Sequence, residues 1–93
     1  MPLVGSGVIG PGGSEYFDIV LTGGHTYAVL VEPSDPTVDF DLYVHDENGK
    51  LVTQDNSLAA DAYCAVTPLW TGPFRLIVKA HRGFSGYRIQ VQE

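Results

Sequence analysis

Asp39-Phe40-Asp41-Leu42-Tyr43-Val44-His45 is the stretch that decides how this chain folds. Successive side chains of an extended strand point to opposite faces, so Phe40, Leu42 and Val44 fall on one side and Asp39, Asp41, Tyr43 and His45 on the other. The next four residues, Asp46-Glu47-Asn48-Gly49, have the composition of a hairpin turn in which Gly49 or Asn48 takes the left-handed conformation. Lys50 to Asp55 then returns as a second strand.

The same period of two recurs on both sides of this hairpin, and helical period almost nowhere. Upstream, Glu15 to Leu21 sets Phe17, Ile19 and Leu21 against Tyr16, Asp18 and Val20. Gly23-Gly24 supplies the positive φ angles of a tight hairpin turn, and His25 to Glu32 returns with Tyr27, Val29 and Val31 on one face. Pro33-Ser34-Asp35-Pro36 ends that strand, because proline has no N–H to give to a ladder. Downstream, Asp61 to Thr67, Phe74 to Ala80 and Gly86 to Gln92 read as further strands, with Phe74, Leu76 and Val78 inward. Pro68 to Pro73 is a turn carrying Trp70, and His81 to Ser85 closes a last hairpin. Turn residues recur every eight to twelve positions. Seven or eight short antiparallel strands predict an all-β sandwich of two packed sheets. Residues 1–13 are glycine-rich and apolar, a flexible arm or a short edge strand around Leu3–Ile9; residues 14–93 form the sandwich domain.

Ninety-three residues make one domain, and 44% hydrophobic content with five Tyr, four Phe and one Trp is enough for one modest core. Eleven acidic against five basic residues give a net charge of −6, which repels phosphate backbones and anionic membranes. Lys50, Arg75, Lys79, Arg82 and Arg88 are too few for a nucleic-acid stripe. No apolar run approaches the roughly 18–20 residues of a membrane-spanning helix. Met1 to Gly13 lacks a basic n-region and a long apolar h-region, so no signal peptide is visible; the domain is expected to come from a longer exported precursor or to act where it is made. The lone Cys64 excludes an internal disulfide. Its strand-like setting, Ala62-Tyr63-Cys64-Ala65-Val66, makes it a core or near-core residue.

Four stretches in order resemble the bacterial pre-peptidase C-terminal (PPC) domain family. Asp39-Phe40-Asp41-Leu42-Tyr43-Val44 with its turn is similar to that family's D-x-D-L-Y hairpin, and Leu21-Thr22-Gly23-Gly24-His25-Thr26-Tyr27 to its L-x-A-G-x-x-Y stretch. Thr71-Gly72-Pro73-Phe74-Arg75-Leu76-Ile77-Val78 resembles its late strand. Gly86-Tyr87-Arg88-Ile89 resembles its terminal G-x-Y-x-L/I strand, displaced by one position at the tyrosine. The resemblance runs from about Ser14 to Val91. It implies a jelly-roll-like sandwich, a non-catalytic accessory role in secretion, stability or attachment, and an extracellular or cell-surface setting. Collagen-binding relatives carry calcium, but the acidic N-terminal linker that supplies ligands there is missing here, and no peptidase is attached.

Calcium needs six to eight oxygen ligands. Asp39 and Asp41 share a strand face, and Asp35, Asp55 and Asp61 stand in flanking loops or strand ends; these five form the candidate cation set, the alternative being no cofactor at all. The candidate binding surface is Tyr16, Tyr43, Tyr63, Trp70 and Phe84, aromatics opposite the aliphatic stripe or in turns. His25, His45 and His81 occur without a G-x-S-x-G, an H-E-x-x-H or a neighbouring Cys, so no enzyme is expected. The expected partners are a protein or polysaccharide surface, or copies of the chain itself joined by strand addition through residues 1–13.

Overall fold

The computed structural model describes residues 3–93; Met1 and Pro2, the first residues of the predicted arm, lie outside the described residues. Eight strands follow one another: β1 Leu3–Ile9, β2 Ser14–Leu21, β3 Tyr27–Pro33, β4 Asp39–His45, β5 Leu51–Asp55, β6 Ala62–Val66, β7 Gly72–Arg82 and β8 Ser85–Gln92. They form two four-stranded antiparallel sheets, β1-β8-β3-β6 (sheet A) and β2-β7-β4-β5 (sheet B).

The predicted faces hold. Phe40, Leu42, Val44, Leu76 and Val78 of sheet B meet Val29, Val31 and Ile89 of sheet A, and none of these is more than 1% exposed. Phe40 packs edge-on against Tyr87, with ring centroids 5.9 Å apart. The Tyr87 hydroxyl crosses the interior to donate to Glu15 Oε1 at 2.6 Å, so the one polar tip among the buried aromatics is satisfied. Burial first, and that hydrogen bond second, push the Tyr87 phenol well above its usual value.

The connections differ from those predicted. Among the described residues only β4 and β5 form a hairpin; every other connection there passes from one sheet to the other. Asp46 to Gly49 is the turn expected there, with Gly49 at φ 79°. Gly23-Gly24 and the residues between β7 and β8, both predicted as hairpin turns, are arches between sheets, which is the jelly-roll-like course of the chain. Alternation states which face of a strand is apolar, but not which strand lies beside it. At the first arch the reason is local: Gly24 takes φ 83°, Gly24 N–H donates to Pro68 O and Gly23 N–H to Thr71 Oγ1. A Cβ on Gly23 would stand 2.8 Å from the Trp70 backbone. The arch is thus tied to the β6–β7 loop, which holds the chain at the junction of the two layers. Residues 3–9 of the predicted arm are edge strand β1, paired with β8.

Removing buried volume at the sheet interface leaves a cavity that close packing cannot refill. Leu42→Ala or Leu76→Ala is expected to cost about 2–5 kcal/mol in urea denaturation. Val20→Ala, at a residue 71% exposed, should stay within about 0.5 kcal/mol.

Candidate functional site

The outward face of sheet B is built by register. Ile77 on β7 stands opposite Tyr16 on one side and Tyr43 on the other, and Tyr43 opposite Gln54, giving a rung that runs across all four strands. The adjoining rung is polar: Arg75 stands opposite both Asp18 and His45. Arg75 grips Asp18 through two parallel bonds, Nε to Oδ1 at 2.8 Å and Nη2 to Oδ2 at 3.0 Å, and its guanidinium lies 3.9 Å from the centre of the Tyr16 ring. That fork lowers the Asp18 carboxyl below its ordinary range and raises Arg75. Both side chains are about half exposed, so the pair adds little stability. Its effect is to fix a planar cation against an aromatic face.

On the other flank, Lys79 stands opposite Ser14 and Asp41. Asp39 and Asp41 are 2% and 5% exposed, and one oxygen of each, Oδ1, has no hydrogen-bond partner. Burial, then the neighbouring Asp39 charge, raise the Asp41 carboxyl above its usual value; His81, the Tyr43 hydroxyl at 3.5 Å and Lys79 oppose that rise.

One end of the sandwich carries a second feature. Trp70 Nε1–H donates to Glu47 Oε1 at 2.9 Å, joining the β6–β7 loop to the β4–β5 turn. Beside it lies an open cleft of about 470 Å³ whose apolar lining includes Leu51, Val52, Leu69 and Trp70. A smaller one of about 380 Å³ opens on the sheet B side, between Asp18, His45, Glu47 and Arg75.

The predicted aromatics do not form one patch. Tyr16 and Tyr43 share the outward rung of sheet B, whereas Tyr63 is on the outward face of sheet A, opposite Leu30. Trp70 is in the β6–β7 loop, and Phe84, 67% exposed, caps the opposite end near Gly10. The predicted carboxylates are likewise separate. Asp35 accepts from the Thr37 hydroxyl and N–H, which lower its pKa in that order. Asp55 accepts from the Tyr63 and Ser57 N–H groups; burial works against ionisation there, yet those bonds prevail and its pKa is lowered. Asp61 is exposed in the β5–β6 loop. Among the described residues no three His, Cys, Asp or Glu side chains converge as a metal-binding group, so the set does not supply calcium's coordination shell.

The histidines are also apart: His25 pairs with Glu93, His45 ends β4, and His81 stands near Asp41. Cys64 is buried, its thiol pushed up to about 11 by burial and then by Asp55. Sequence reading did not include Asp18, Arg75 and Ile77 in the candidate surface. Their alternation was visible; the pairing that sets them beside Tyr16 and Tyr43 was not.

A domain from Bacillus anthracis is similar in fold: the pre-peptidase C-terminal domain of its collagenase superposes with a TM-score of 0.70 at 12% identity, covering 99% of this chain and 91% of that one. The fold is that of a PPC domain. A second structure of similar fold is PliG of Aeromonas hydrophila, a periplasmic inhibitor of g-type lysozyme, with a TM-score of 0.62 at 9% identity over 94% of this chain and 82% of that one. No family model matches the sequence, and no curated protein does. The likeness is therefore one of fold, without a sequence match beside it.

The Asp39–Asp41 pair yields a test. Folded Asp41 holds its proton more tightly than an unfolded aspartate, whose value is about 3.8. Its contribution to folding is thus present below that value and lost as pH rises through the raised one. Asp18, Asp35 and Asp55, all lowered, act in the opposite direction, so the comparison must be with a variant. Asp41→Asn should have a higher urea midpoint than the parent at pH 7, with the gap closing towards pH 3.

Proposed function

We propose that this domain is a non-catalytic accessory module of an exported bacterial protein, attaching it to a protein or polysaccharide surface. The Tyr16–Ile77–Tyr43 rung, flanked by the fixed Arg75–Asp18 fork, is the observation that carries this reading. A flat sheet face bearing aromatic side chains suits an extended polymer or a protein surface, because rigid rings give contact area while losing little conformational freedom. Both similar structures fit an exported setting, one a collagenase domain and the other a periplasmic inhibitor. The scattered histidines and a thiol that stays protonated at neutral pH support a role without catalysis. Assembly through residues 1–13, the alternative, would require β1 to leave β8 and exchange into a neighbour.

Binding can be measured by co-sedimentation with fibrillar collagen and with purified peptidoglycan, and by titration with g-type lysozyme. At least one should retain the domain, and Tyr16→Ala with Tyr43→Ala should weaken that binding roughly tenfold or more without lowering the unfolding free energy by more than about 1 kcal/mol. Retention unchanged in the double variant would remove the sheet B face from the reading.

A further inference from the structure

The four sheet edges are unequally guarded. β5 and β6 have five residues each, and the β4–β5 register is broken between Val44 and His45. β1 has an irregularity between Leu3 and Gly5. β2 has none of these features: eight residues, Ser14–Leu21, run in unbroken register along β7 from Lys79 to Gly72, without proline, lysine or arginine. No described strand lies on its other side. Such an edge presents a row of backbone N–H and C=O groups ready to pair. Its two acidic side chains are already engaged, Glu15 by the Tyr87 hydroxyl and Asp18 by Arg75.

The order of residues in β2 also fits a second copy of itself. In an antiparallel register centred on Asp18, Tyr16 stands opposite the partner's Val20 on the outward face, and Phe17 opposite the partner's Ile19 on the inward face. Both are aromatic against β-branched, a favourable cross-strand pair. Tyr16 and Val20 are 59% and 71% exposed in the single chain and would pack side by side across the seam. The two Asp18 carboxylates meet at the axis with an Arg75 on each outer side, so charge runs plus, minus, minus, plus. Shifting the centre to Phe17 sets Glu15 opposite the partner's Ile19 and Asp18 opposite the partner's Tyr16, a poorer match.

We propose that β2 is a self-association edge, through which two copies pair about a two-fold axis at Asp18 and join their B sheets into one. The interface is isologous, and it sets the two Tyr16–Ile77–Tyr43 rungs on one continuous surface. This goes beyond the attachment role and does not depend on it.

Sedimentation velocity over a range of protein concentrations tests the pairing. The parent chain should shift from monomer to dimer as concentration rises. Val20→Lys puts a lysine guard on the edge at an exposed site, and should weaken the dimer at least tenfold with an unchanged circular dichroism spectrum. Val8→Lys makes the same change on β1, where Val8 is 59% exposed, and should leave the dimer as strong as in the parent. A parent chain that stays monomeric throughout, or equal effects of the two variants, would overturn the proposal.

Discussion

The structure depends on contact between two apolar layers, which Phe40 and Tyr87 bridge edge to face. Phe40 comes from the second strand of sheet B counted from the β5 edge, Tyr87 from the strand of sheet A that lies between β1 and β3. Around them Val29, Val31, Leu42, Val44, Leu76, Val78 and Ile89 are excluded from water. A chain of this size has one core and no second one to fall back on. Every outward feature, including the tyrosine rung and the arginine fork, has its position because the opposite face of the same strand is held in that layer.

That dependence explains why the faces could be read in advance and the neighbours could not. A period of two in Asp39–His45 or Phe74–Ala80 is imposed by the geometry of one strand and is local. Pairing β2 with β7 is a statement about residues more than fifty positions apart, as the Asp18–Arg75 fork illustrates. Glycine pairs raised the same difficulty. Gly23-Gly24 has the composition of a hairpin turn, but its amides bond to Pro68 and Thr71, partners that no reading of the local sequence supplies. The candidate aromatics stand as outward or turn residues, yet Tyr63 and Phe84 lie on other faces than Tyr16 and Tyr43, because outwardness does not say which sheet.

Buried charge is the other place where local rules stop. Asp39 and Asp41 alternate as outward residues of a half-solvated strand should, and by that logic face water. β4 is an inner strand of its sheet, between β7 and β5, and the pair is covered all the same. Two adjacent carboxylates with unpartnered oxygens oppose folding, since desolvation of each and their mutual repulsion act together. The apolar layer beneath them is what offsets this.

Strand order also has a consequence for synthesis. β8 lies between β1 and β3, and among the described strands β2 pairs with β7 alone, so neither sheet can close before β7 and β8 have been made. β1 and β2 stay without their partners until β7 and β8 have been made, and slow closure of such distant contacts follows from the loop entropy involved.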